Sequence, residues 1–303
     1  MKSLWKFLLA LIALIAVLVA STAVFVANSK PDPIRYPSPN GFDDLLKAAA
    51  LIHHLPGKPQ DPAQLTQEER KWLVQSNSAA LKLLREGLAT EIRVVTTNDM
   101  TSRLPVDQMS RLKQLADLLT VEVSVAHEDD NPTNMLGACL DLYALGSKGT
   151  RGGLVVHGLS GAAIRTIACR QATNILQSGN ATLCRMAAKD LLDEMTHAPI
   201  ATDYLANEAA WRRRTEEGQG IRGLLGRIIS GLSGALHAAQ QRFIQRFDQL
   251  HRNEAETLRD LATTAFRLEH QRAATNWTEL VPEYLPEIPR NAKNNAPLPL
   301  VGL

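Results

Sequence analysis

The sequence predicts a mainly α protein: an N-terminal transmembrane helix, an all-α helical-bundle body and an extended Pro/Asn-rich tail. Three observations predict it. From Phe7 to Ala27 runs FLLALIALIAVLVASTAVFVA, free of charge, Pro and Gly; at about 1.5 Å per helical residue it can span a hydrocarbon core roughly 30 Å thick. Beyond it, apolar residues recur at helical spacing in one segment after another. Aromatic residues make up only 5% of the chain while Ala and Leu are plentiful, which favours helix over sheet. The chain divides into a membrane anchor (1–27), a Pro-rich spacer (28–41), a helical domain (42–278) and an extended tail (279–303).

Lys2 and Lys6 flank the anchor on one side, whereas Lys30 and Arg35 on the other are offset by Asp32, Asp43 and Asp44. The positive-inside bias places the N-terminus in the cytoplasm and the body outside. This is a single-pass chain of the cytoplasmic membrane whose bilayer contact is residues 4–27. Ser21-Thr22-Ala23 offers a signal-peptide cleavage site, but the apolar run continues through Val24-Phe25-Val26-Ala27, which favours an uncleaved anchor.

The 45% hydrophobic content is that of a folded protein, and a net charge of +2 carries no general electrostatic instruction. Nucleic acid is therefore not an expected partner. Cys139, Cys169 and Cys184 lack CxxC spacing and lie among Ala and Leu. They read as buried small hydrophobes rather than zinc ligands or a disulfide framework. A Cys169–Cys184 bridge stays open for an oxidising compartment. No cofactor and no metal site is expected.

Asn28 to Gly41 holds four prolines, which makes it a stiff spacer. Phe42-Asp43-Asp44 opens a helix with acids in its first turn, running to about Leu55 before Pro56-Gly57. Thr66 and Glu69 have capping-box spacing, and Trp72, Leu73, Leu84 and Leu88 follow at helical intervals. The pattern repeats from about Val106 to Val125, where VEVSV could pass for a strand but has no obvious partner. Pro132 starts a helix ending near Gly146, and Gly146 to Gly153 is a Gly-rich basic loop. Leu154 to Cys169, broken by His157, Ser160, Arg165 and Thr166, reads as a buried central helix. Helices near 181–195, 201–215, 221–250 and 254–274 follow, and after Pro282 the chain should be extended. No repeat of fixed period is present, which disfavours a solenoid.

Several strings invite a chemical reading. His157-Gly158-Leu159-Ser160-Gly161 approaches a nucleophile elbow, but Ala162 stands where the second glycine is needed and the flanks look helical. Small residues that let helices approach explain it better. His127-Glu128-Asp129-Asp130 has carboxylates suited to a hard cation without the spacing of an EF-hand, and reads as a solvated acidic loop. His53-His54 are adjacent, so they cannot form the i, i+4 ligand pair of a zincin. Gly146 to Gly153 could cradle phosphate but does not match a P-loop, so an interhelical turn is the expectation.

The segment from Ile221 to Leu250 carries the most specific signal. Gly226, Ser230 and Gly234 recur every fourth residue opposite an apolar face, and no acid occurs between Glu217 and Asp248. Arg222 and Arg227 fall in that stretch. These five residues are candidates for membrane contact or close helix packing.

Pro39-Asn40-Gly41-Phe42-Asp43-Asp44-Leu45, Leu140-Asp141-Leu142, Arg151-Gly152-Gly153-Leu154-Val155, Phe266-Arg267-Leu268-Glu269-His270 and Leu280-Val281-Pro282-Glu283-Tyr284-Leu285-Pro286 together form a recognisable combination. It resembles uncharacterised single-span helical membrane proteins of planctomycete-type bacteria, and its ending is similar to pseudopilin-like envelope proteins. The resemblance implies localisation and architecture and brings no activity. The anchor, the spacer and the absence of a converging polar constellation point to a membrane-tethered extracytoplasmic helical interaction or scaffold protein of the bacterial envelope. A protein partner or homo-oligomer stays open, and catalysis is not expected. The alternative is a membrane-bound hydrolase or envelope-polymer binder using His157 and Ser160 or the acidic loop at His127.

Overall fold

The computed structural model describes residues 34–55, 64–96, 104–217 and 234–288, with 290 and 297. Helices α1 (Gly41–Ala50), α2 (Gln67–Ser76) and α3 (Ser78–Ala89) precede the long α4 (Leu104–Glu128). Then come α5 (Pro132–Ser147), a 3-10 turn (Lys148–Thr150), α6 (Val155–Gln177), α7 (Ala181–Thr196), α8 (Ala201–Glu217) and α9 (Gly234–His270). A second 3-10 turn, Trp277–Glu279, follows α9. The described residues contain no strand, only one isolated bridge between Arg290 and Pro297. The fold is a mainly α-helical bundle.

Local chemistry sets several helix starts. Thr66 accepts from the Glu69 N–H while the Glu69 carboxylate accepts from the Thr66 N–H at 2.8 Å, a complete capping box. Asn131 and Asn180 cap α5 and α7 through their side-chain oxygens. Asn40 caps α1 and also reaches across the fold, donating to the Arg93 carbonyl and accepting from its N–H. The VEVSV string lies inside α4, with Val121 and Val123 buried. Packing along α4 overrides the β preference of these valines.

The core is built around α4, α5 and α6, with Leu112, Leu115, Leu119, Leu142 and Leu145 fully buried. The crossing of α5 and α6 depends on glycine. A Cβ on Gly161 would lie 2.4 Å from the Gly146 carbonyl oxygen, so only a residue without one lets these backbones meet. A second, smaller cluster joins α6, α8 and α9 through Ala162, Tyr204, Phe243, Phe247 and Leu250. Gly158 makes room there, because a Cβ would meet the Tyr204 and Phe243 rings at 2.8 and 2.9 Å. Beyond α9, Leu280, Tyr284 and Leu285 return to the main core, and the Tyr284 hydroxyl donates to Glu269 at 2.5 Å.

The expectation of a transmembrane helix is corrected. Among the described residues no helix is long and apolar enough to cross a membrane. The longest helices carry charge along their length, such as Arg165 and Arg170 in α6 and Arg242 through Arg267 in α9. The run at 4–27 lies outside the described residues. Among the described residues the fold class is accordingly a helical bundle. The bilayer as partner, the single-pass N-in topology and the extracytoplasmic, membrane-tethered body lose their support with it.

Candidate functional site

The His157 imidazole is fully buried at the start of α6. Its Nδ1 accepts from the Leu154 N–H at 3.0 Å, which leaves the proton on Nε2 to donate to Gln108 Oε1 at 3.0 Å. Gln108 in turn donates to the Val95 carbonyl at 2.9 Å. Burial pushes the imidazole down to about 4. With both ring nitrogens engaged, His157 stitches α6 to α4 and to the 91–96 segment and has no nitrogen left to activate Ser160. The surrounding string is continuous helix, so the strand-to-helix turn of a nucleophile elbow is not formed. The elbow geometry that the hydrolase alternative needs at His157 and Ser160 is therefore not present in α6.

The acidic loop has a structural use as well. Glu128 pairs with Arg70, and Asp129 pairs with Lys71 at 2.5 Å, so two of its carboxylates hold α2 against the end of α4. No group of three or more potential metal ligands occurs among the described residues. The basic loop is likewise committed: Lys148 pairs with Glu194 at 2.7 Å, and Arg151 donates to the His197 carbonyl. Cys139, Cys169 and Cys184 are free and buried. Burial pushes the Cys139 and Cys169 thiols up to about 12 and the Cys184 thiol up to about 11.

Of the predicted packing or membrane residues, Gly234 begins α9. Arg222, Gly226, Arg227 and Ser230 lie outside the described residues.

Two features of the α6–α9 seam, one buried and one open, bring polar side chains together, and the sequence alone singles out neither. The first is internal. Arg165 and Glu254 have side chains only 2% and 0% exposed, with Nη2 2.6 Å from Oε1. Tyr143 donates to the same Oε1 at 2.7 Å, and Arg165 also donates to the Tyr143 hydroxyl and the Pro199 carbonyl. Burial is the largest influence and opposes the Arg165 charge, but Glu254 and Tyr143 together more than offset it and raise the arginine pKa. Burial and the Glu254 charge also raise Tyr143 well above its ordinary value. The Tyr143 hydroxyl and Arg165 Nε and Nη2 converge on Oε1, while Oε2 is buried without a hydrogen-bond partner.

The second feature faces outward. A groove of about 420 Å³ runs along the seam, floored by Ala162, Ile167 and Leu250 with Leu159 and Ala163 open on its α6 side. Its polar edge is formed by Thr166 and Arg170 on α6 and by Arg246, Gln249 and Asn253 on α9. Neither Arg170 nor Arg246 has an ion-pair partner among the described residues. The sequence signal for this edge is the acid-free stretch before Asp248, whereas the apolar half has the pattern of a buried helix.

No protein family, curated protein or solved structure matches this chain. The expected resemblance to single-span planctomycete-type proteins and to pseudopilin-like envelope proteins is corrected on that finding, and with it the scaffold role inferred for the bacterial envelope.

Proposed function

We propose that this chain is a non-catalytic helical binding module that works through the α6–α9 groove. The observation that carries the reading is the pairing of open apolar floor with uncommitted arginines at one place on the molecule. Leu159 is 43% exposed on a helix whose opposite face, with His157, Ile164 and Ala168, is buried. Concave, mainly apolar sites with a few placed polar groups are the usual form of a binding site. Three of the side chains that invite an enzymatic reading support the same view, because they are held in structural bonds: His157 as a helix cap and Glu128 and Asp129 as ion pairs.

The test is binding of 1-anilinonaphthalene-8-sulfonate, an aromatic anion, to the full chain. Saturable one-to-one binding is expected, weakened at least about tenfold by Ala163→Arg, which fills the groove from an exposed position. Thermal unfolding of the variant should match that of the natural chain. Equal binding to both proteins, or none to either, would overturn the reading.

A further inference from the structure

We infer that the occupant of the α6–α9 groove is an amphipathic helix of a protein partner, with acidic residues flanking its apolar face. The inference rests on the binding reading above and adds the chemistry of the partner. The apolar stripe on α6 extends beyond the groove, with Val156, Leu159 and Ala163 exposed and Ile167 half-buried. Val156, Leu159, Ala163 and Ile167 follow one another at steps of three, four and four residues, and Val156 is 38% exposed. That periodicity is the ridge of a helix open to a second helix, and it spans roughly 16 Å over eleven steps. A partner helix of about three turns supplies anchors at i, i+3 or i+4, and i+7 to match it.

Charge selects the partner further. Arg170 stands on the α6 edge and Arg246 on the α9 edge, so a docked helix would meet a guanidinium on either side. Arg242 and Arg252 extend the α9 edge, against the single acid Asp248. Arg252 donates to Gln249 at 2.5 Å and carries no ion pair among the described residues. Glutamate or aspartate flanks would find bidentate donors on both sides; lysine flanks would be repelled.

The experiment uses the full chain and two synthetic helix-forming peptides of about 14 residues with identical leucine faces, one flanked by Glu and one by Lys. The Glu peptide is expected to bind at least about tenfold more tightly at low salt, with the gap narrowing as salt rises. Arg170→Glu/Arg246→Glu should reverse the preference; both positions are exposed, so the fold should survive. Equal binding of the two peptides overturns the inference. So does failure of both peptides while the sulfonate probe still binds in an Ala163→Arg-sensitive way, and that outcome leaves the binding reading standing. Failure of the probe as well removes both. A concentration-dependent dimer that Ala163→Arg dissociates would also overturn it, by making a second copy of this chain the occupant.

Discussion

Arg165 on α6 and Glu254 on α9 form a fully buried ion pair across 89 residues of sequence, with guanidinium and carboxylate 2.6 Å apart. Such a pair adds little net stability, because desolvating both charges costs nearly what their attraction returns. Removing one partner is another matter. Arg165→Met and Glu254→Leu should each lose about 3–5 kcal/mol in urea unfolding, while the double variant should recover most of that loss. Additive losses would show that the two charges do not act as a pair.

His157 makes stability depend on pH in a defined direction. Its folded value, about 4, lies below the ordinary value of 6.5, so between these the unfolded chain binds more protons. Stability is full above about pH 6.5 and falls as the pH drops towards 4, by about 3 kcal/mol for this group alone. His251, also lowered by burial, adds in the same sense. His157→Gln should flatten the pH dependence of the urea midpoint between pH 4 and 6.5; an unchanged slope would contradict the assignment.

Two glycines should respond in opposite directions. Gly161→Ala places a methyl 2.4 Å from the Gly146 oxygen and 2.6 Å from Thr150 Oγ1, and should cost about 1–3 kcal/mol. Gly137, on the exposed face of α5, has nothing within 4 Å of a built Cβ. Gly137→Ala should therefore stabilise by about 0.5–1 kcal/mol through helix propensity alone. Thermal unfolding of both variants checks the pair.

Three buried thiols predict silence towards a thiol reagent. At pH 8 the folded chain should release no thionitrobenzoate from Ellman's reagent within minutes, whereas in urea all three cysteines should react without prior reduction. Only one reactive thiol in urea would mean that two of them are bridged.

What the sequence made legible was mostly local. The Thr66–Glu69 capping box and the Pro132 helix start are written within four residues and stand in the structure as read. The sequence predicts a break just after Asp248, between helices near 221–250 and 254–274, and the structure has none. The composition changes there, but no Gly or Pro occurs between Ala235 and His270, and α9 runs unbroken for 37 residues. The long-range features were hidden. Arg165 stood out as a charge in an apolar run, yet nothing near it named Glu254 as its partner, and His157 gave no hint of Gln108. The groove was hidden for the same reason. Its walls come from α6 and α9, and only the fold brings Leu159 and Arg170 beside Arg246 and Leu250.

Methyl NMR of the full chain, titrated with 1-anilinonaphthalene-8-sulfonate, gives the most direct answer on the groove. Resonances of Leu159, Ala163, Ile167 and Leu250 should shift together and saturate at one equivalent, while those of Leu81 and Leu112, buried in the main core, stay in place. Shifts confined to α1–α4, or spread evenly over the molecule, would show that the α6–α9 seam is not where this protein binds.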